Sequence, residues 1–491
     1  MNKVIIIGGG IAGLSAGIYA QQNGFRTEIY EKNPEVGGEC TGWNRKGYHI
    51  DNCIHWLTGC RKGDGLWEIW KNVGALDEST KFYREPYFYM LDMEGRQLHF
   101  WIDLEKARKE FLVLAPDDGV EIHKFFDSVK LAESLKIPCE KSPADMNFIE
   151  FIKFGMSMPQ MGRVMKEYGK ETVVELAQRF KNPFLRKMMG GYYNEKFMAV
   201  TLISSYAFFT GETAAIPMGG SKEMAQRMAK VYQALGGKLH QNMPVTGINI
   251  EGKKAVSVTF NDGSQAAGDY IISAADTSVT FGSLLDKKYM DKKLKKMYGC
   301  KEGYPVTSSF QAAFGILGAE DCGVPGGSVM FPCDSFEVGR QKLTFQAIRL
   351  YDYDESLFPK EKRVIQCNIL QDERDYEYWK ELYEDSDRYE AEKQRIADTV
   401  MKQIILKFPA LEGRLVLLGT YSPITFERWC GAYKGAYMSF FGQKGYKSLY
   451  AKNKAAGLDN VFIASQWLQL NGGLPLAVTS GKFAAQAMRK R

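Results

Sequence analysis

The most constraining feature of the chain is its first thirty or so residues, "KVIIIGGGIAGLSAGIYAQQNGFRTEIYE". A continuous β-branched run, as expected of a parallel strand buried on both faces, leads straight into Gly8-x-Gly10-x-x-Gly13 and a helical stretch. A second strand, "TEIYE", then closes with Glu31. This is the βαβ unit that receives the adenosine half of a dinucleotide. Gly8 permits the tight turn, Gly10 lets a pyrophosphate lie against the backbone, and Gly13 lets helix and strand pack closely. The helix beginning near Ile11 and Ala12 offers free N–H groups and positive potential to the phosphates. Glu31 is placed to accept from ribose hydroxyls and would repel a 2′-phosphate, which disfavours an NADP-type ligand. A lone G-x-G-x-x-G is weak evidence; flanked by strand, helix and a terminal acid, it is specific.

The fingerprint does not separate NAD from FAD, but two further stretches do. Gly37-Gly38 follow Glu31 closely and predict another near approach of backbone to a pyrophosphate. At the far end, "GLDNVFIASQWLQLNGGLPLAVTSGKFAAQAM" reads as strand, glycine loop and closing helix. Pro475 suits a first helical turn, and Gly473 would let the loop backbone lie against a flat ring. The positive helix end aimed there suits a reduced, anionic isoalloxazine. FAD is the expected cofactor. There is one dinucleotide fingerprint, so a nicotinamide would visit transiently or the electrons would go elsewhere.

An N-terminal βαβ unit with a Gly-Gly tail, returning to the same cofactor at the C-terminus, resembles the FAD-dependent phytoene desaturase, carotenoid isomerase and retinol saturase-like family. The likeness covers nearly the whole chain. "GGECTGWNRKGYHIDNCIHWLTG" (37–59) is similar to that family's segment beneath the flavin, and "DLEKARKEFLVLAPDDG" (103–119) to its following helix. "IPMGGSKEMAQRMAKVYQALGGKLHQNMPV" (216–245) resembles the helix and strand leading to an adenine-contacting Val245, and "YIISAADT" (270–277) a strand ending near the cofactor. "SPITFERWCGAYKGAYMSF" (422–440) looks like the late substrate-domain segment. The monoamine oxidase branch usually carries arginine after Gly-Gly, where this chain has Glu39, and "IHW" at 54–56 is closer to the retinol saturase-like pattern.

The resemblance implies an α/β fold of flavin amine oxidase-like architecture. A discontinuous Rossmann-type FAD lobe (1–75, 216–285 and 441–491) would face a substrate lobe with a helical part (76–215) and a sheet part (286–440). The expected cofactor set is Gly8, Gly10, Ile11, Ala12, Gly13, Glu31, Lys32, Gly37, Gly38, Glu39, Val245, Gly472, Gly473, Leu474 and Pro475. The implied activity is desaturation, saturation or isomerisation at carbon–carbon double bonds of a long hydrophobic polyene, isoprenoid or lipid. An amine oxidase and a non-catalytic prenyl-binding escort protein of the same fold are the alternatives. Intact glycines and Glu31 favour real FAD binding over the escort.

The remaining signals are coarser. At 491 residues and 45% hydrophobic content the chain predicts more than one domain. A net charge of +6 argues against a dedicated nucleic-acid binder. The nine cysteines show no C-x-x-C pair or metal-ligand spacing, which predicts buried thiols in a reducing cytoplasm and no metal site. No cleavable leader or bilayer-spanning run is expected. His55, with Asp51 nearby, is the candidate proton donor or orienter, against packing on backbone as the alternative. The Met- and aromatic-rich stretch 146–170 reads equally as a lipid-facing surface, a substrate tunnel or a helix–helix contact. The basic run 287–299 reads as a solvated face, with a seat on anionic lipid headgroups as the alternative. The acidic run 372–387 reads as a solvated face, and one amphipathic helix is predicted at about 386–408.

Overall fold

A computed structural model describes residues 1–193 and 195–489. Its first sheet is parallel throughout and built from segments far apart in sequence: β1 (Lys3–Ile7), β2 (Arg26–Tyr30), β3 (Lys238–His240), β4 (Tyr270–Ser273) and β5 (Val461–Ile463). Their spatial order is β3-β2-β1-β4-β5. Ile7 pairs with both Tyr30 and Ser273, so the carboxyl ends of the three central strands lie level. The chain order reverses about β1, and ligands of such sheets bind outside the carboxyl ends at that switch point.

Three helices cover this sheet: α1 (Ile11–Gln22), α2 (Gly220–Ala234) and α3 (Leu474–Arg489). Small residues let α1 and α3 touch. A Cβ on Gly481 would fall 2.5 Å from the Ala12 carbonyl oxygen, and Ser15 Oγ donates to the Val478 carbonyl at 2.7 Å. The C-terminal helix thereby seals the N-terminal one.

The second sheet has seven strands, in the order Leu415–Tyr421, Ser308–Ile316, Val364–Gln371, Gln341–Tyr351, Gly327–Val338, Tyr87–Met93 and Arg96–Trp101. The last two come from the otherwise helical 76–215 region, so the two parts of the expected substrate lobe share one sheet. Helices from Leu104–Leu114 to Ala199–Thr210 enclose an aromatic core that includes Phe88, Phe100, Phe125, Phe126 and Tyr206.

Two charge runs fold differently from one another. Leu294 and Met297 anchor helix Lys292–Gly299 while its lysines stay exposed, as a solvated face requires. The acidic run does more than solvate a surface. Asp372 caps helix Glu373–Leu382 in a capping box with Asp375, and the helix drives Tyr376 and Trp379 into the core. Apolar residues spaced three apart inside an acidic stretch hid this element. The predicted helix near 386–408 spans Ser386–Lys407.

Candidate cofactor and active site

The glycine loop after β1 is shaped by two separate demands. Gly8 has φ +98 and donates its N–H to the Tyr30 carbonyl at 2.8 Å, locking the loop onto β2. A Cβ on Gly13 would lie 2.0 Å from the Gly8 carbonyl oxygen, so helix–loop packing alone demands glycine there. Gly10 is different. Its φ of −71 suits any residue, and a Cβ would meet nothing nearer than the Gly37 carbonyl oxygen at 3.8 Å. The protein leaves a space over the α1 N-terminus that its own packing does not need, and a diphosphate fits such a cradle.

Glu31 and Gly37 are tied to the same loop. Glu31, 4% exposed, accepts from the backbone N–H groups of Gly9 at 2.7 Å and Asn33 at 2.8 Å. It therefore shapes the loop, with lone pairs left for a ribose. Gly37 N–H donates to the Gly9 carbonyl at 2.9 Å, and Gly10 and Gly37 bridge as parallel backbone, bringing 37–39 against the loop. Met243 N–H donates to the Glu31 carbonyl at 2.9 Å, which brings the backbone just before Val245 to the end of β2. Ile11 and Ala12 open α1 with buried side chains and present backbone alone. Lys32 is exposed, its Nζ donating to the Arg428 carbonyl at 3.0 Å.

The C-terminal loop is pinned by the 422–440 segment. Gly472 N–H donates to Ser439 Oγ at 2.9 Å, Asn471 N–H to the Phe440 carbonyl at 2.8 Å, and Gly473 N–H to the Gln466 side chain. Gly473 has φ +94, which favours glycine, and Leu474 and Pro475 begin α3 directly after it.

Among the described residues nothing hydrogen-bonds the ring of His55. Its carbonyl accepts from Arg349 Nη1 at 2.7 Å, and Arg349 Nη2 in turn donates to Glu85 Oε1 at 2.7 Å. The two side chains of that ion pair are 8% and 4% exposed. Burial, and secondarily the Arg349 charge, lower the imidazole to about 4. His55 is half-buried, and its burial keeps it a neutral imidazole. Asp51 is not its partner. The Asp51 carboxylate takes the Ser221 N–H at 2.9 Å and the Ser221 hydroxyl, fixing the start of α2.

Sequence reasoning missed Glu85, Arg349 and Asp276. Asp276 follows β4 and accepts from Ser278 N, Ser278 Oγ and Tyr433 N at 2.7, 2.7 and 2.9 Å. Burial raises it to about 6. Glu39 stands well above the usual carboxylate range, through burial first and the Asp276 charge second. Hydrogen bonding to Cys40, then burial, push Cys53 well up, so it stays an unreactive thiol.

With this geometry in place, comparison with known proteins identifies the lineage. Residues 11–308 match the family described as flavin containing amine oxidoreductase. A phytoene desaturase (lycopene-forming) from Paracoccus sp. is 24% identical over a stretch covering 58% of this chain and 56% of that enzyme, little more than half of its length. A 4,4'-diaponeurosporene oxygenase from Staphylococcus haemolyticus is 23% identical over 99% of this chain and 96% of its own. Among solved structures, an oxidoreductase from Methanosarcina mazei shares the fold over 100% of both chains, with TM-score 0.61 and 17% identity. A putrescine oxidase bound to putrescine does so over 100% and 99%, with TM-score 0.60 and 15% identity. The chain belongs to the flavin containing amine oxidoreductase family, and its cofactor is FAD.

Proposed function

We propose that this protein is a FAD-dependent oxidoreductase acting on carbon–carbon double bonds of a long apolar polyene or isoprenoid, with desaturation, saturation and isomerisation as its possible outcomes. The supporting observation is the wall facing the C-terminal loop. Met438 Cε lies 3.6 Å from where a Cβ on Gly473 would stand, and Trp56, Tyr192 and Tyr193 pack on the aromatic core with part of their surface free. Burial raises the Tyr192 hydroxyl to about 12 and pushes Tyr193 and Tyr437 up as well. An interior of aromatics and methionine suits a conjugated hydrocarbon. The carotenoid-modifying relatives support the same reading.

Diphosphate and ribose are assigned to Gly8, Gly10, Gly13, Glu31, Gly37 and Gly38, adenine to the side of Val245, and the ring to the loop at Gly472–Pro475. When bound, FAD supplies two-electron hydrogen transfer at its ring. The chain orients the substrate on Trp56 and the tyrosines, excludes water, and presents neutral His55 as an N–H donor or lone pair. The Glu85–Arg349 pair holds the His55 backbone in place.

Substrate would arrive from a membrane. Helix Phe148–Met156 buries none of its side chains; Phe148, Ile149 and Met156 are 79%, 64% and 72% exposed. Asn147 and Glu150 cap it, so it is a formed helix presenting an apolar surface outward. Among the described residues no helix is long and apolar enough to cross a membrane, so the proposed contact is peripheral. The test is incubation of FAD-loaded enzyme with phytoene, 4,4'-diapophytoene and their desaturated products, with and without oxygen. Loss or gain of two hydrogens, or a mass-neutral change of isomer, is expected by mass spectrometry and chromatography. No change in any of these, with amines oxidised instead, would overturn the reading.

A further inference from the structure

Glu39 poses a problem of charge. It follows Gly37 and Gly38, whose φ values of +118 and +62 turn the chain against the α1 N-terminus. A Cβ on Gly10 would stand 3.9 Å from Gly38 Cα, so Glu39 is one residue from the diphosphate cradle. On the far side, β4 continues into Ala274, which abuts Gly8, and then into Asp276.

The two acids are differently provided for. Asp276 has the three donors described above. The Glu39 carboxyl has no hydrogen bond or ion pair among the described residues, and its side chain keeps part of its surface free. The other titratable groups acting near it are the thiols of Cys53 and Cys430, both raised far enough to stay uncharged. Glu31 and Lys32 reach Cys430 from the end of β2. Glu31 is spent on backbone N–H groups and the Lys32 ammonium is held on the Arg428 carbonyl, and among the described residues no cation pairs with Glu39. An ionised Glu39 would meet the dianionic diphosphate with nothing between them.

We propose that Glu39 holds FAD as a neutral carboxylic acid, donating its hydroxyl hydrogen to an oxygen of the diphosphate–ribityl stretch. The inference rests on the FAD placement given under Proposed function. It assigns Glu39 the hydrogen-bonding part that arginine could play by charge. Burial and the Asp276 carboxylate, which ionises near pH 6, both favour the protonated form, and a bound diphosphate favours it further. Deprotonation at alkaline pH converts a donor into a repelling anion, so FAD affinity falls as pH rises. For one linked proton the dissociation constant climbs by up to about tenfold per pH unit.

The experiment measures FAD binding to the full-length apoprotein by flavin fluorescence quenching, from mildly acidic to alkaline pH, with thermal melts to confirm folding. Wild type should show the alkaline limb. Glu39→Gln keeps a donor without a titrating proton and should bind FAD with the limb removed, whereas Glu39→Ala should bind about tenfold more weakly at neutral pH. Difference infrared spectra of the holoprotein should contain a protonated-carboxyl carbonyl band that Glu39→Gln lacks. A wild-type profile without the limb, or an unchanged limb in Glu39→Gln, overturns the proposal. A Gly10→Val protein with undiminished FAD affinity would instead overturn the placement on which it stands.

Discussion

Gly10 and Gly13 lie three residues apart in one motif, yet the structure assigns them opposite duties, and two alanine substitutions separate these. In Gly13→Ala the new Cβ would sit 2.0 Å from the Gly8 carbonyl oxygen and 3.1 Å from Ala274 Cβ. Neither neighbour can retreat freely: Gly8 N–H is bonded to Tyr30 and Ala274 N–H to the Ile7 carbonyl, both at 2.8 Å. Overpacking of a core costs about 1–3 kcal/mol, and a clash with fixed backbone belongs at or above the top of that range. In Gly10→Ala the Cβ finds ordinary contacts at 3.8 Å and a backbone that accepts alanine. Only the N-cap preference is lost, about 1 kcal/mol at most. The same methyl group occupies the space assigned to the diphosphate. Losing one hydrogen bond to that charged group is worth about 1.5–3 kcal/mol, roughly 10- to 150-fold in dissociation constant. Melts of the apoproteins and FAD titrations read the two effects independently. Gly13→Ala should lower the melting temperature strongly, and Gly10→Ala should weaken FAD binding while leaving the apoprotein nearly as stable. A Gly10→Ala protein that binds FAD like wild type, or that melts like Gly13→Ala, would refute the division.

Other consequences follow from the buried groups. The His55 imidazole at about 4 lies below the unfolded value of about 6.5, so on acidification the unfolded chain takes up the proton first. Its contribution is whole above about pH 6.5 and is lost as pH falls towards 4, by up to about 3 kcal/mol; His55→Gln should therefore lose less stability between neutral and acid pH, and an equal loss would contradict the neutral ring. His55→Ala should slow turnover about 10²- to 10⁴-fold if the ring handles a proton, with FAD content nearly unchanged, and wild-type turnover would reduce it to packing. Arg349→Met leaves Glu85 buried and unpaired and should cost about 3–5 kcal/mol in urea melts, much of it recovered by adding Glu85→Leu. Joint replacement of Phe148, Ile149 and Met156 by serine should abolish flotation with anionic vesicles without altering FAD content; failure of wild type to float would return these residues to a non-lipid role.

How far the site was legible follows from how far apart its contacts lie in sequence. The dinucleotide loop was readable because strand, glycines, helix and Glu31 are consecutive, and each imposes a local requirement that only certain residues satisfy. The C-terminal return was readable for the same reason, since Gly472–Pro475 carry turn and helix-start chemistry in four adjacent positions. The Glu85–Arg349 pair had no such signal. The partners are 264 residues apart, Arg349 within strand Gln341–Tyr351 and Glu85 in the short connection before strand Tyr87–Met93, and nothing local to either names the other. The pairing of strand Tyr87–Met93 with Gly327–Val338 in the second sheet likewise depends on topology that local propensity does not encode.

Asp51 shows how a short sequence distance can mislead. Four residues from His55, it suggested an acid orienting a base, but Asn52 and Cys53 turn the chain and the carboxylate faces Ser221 at the start of α2 instead. Its task is to tie the 37–59 segment to the FAD lobe, while Arg349 ties the same segment to the second sheet through the His55 carbonyl. The polar groups expected to perform chemistry are thus largely engaged in positioning one strand–turn between two lobes. Among the described residues His55 and Glu39 have no side-chain hydrogen-bond partner, and burial disfavours the charged form of each. A hydrocarbon substrate requires no fixed charge for its recognition, and hydrogen transfer at a flavin ring requires none from the protein. The charges this interior does bury, the Glu85–Arg349 pair and Asp51, are engaged with protein partners, so the polyene reading needs no further charge to recognise its substrate.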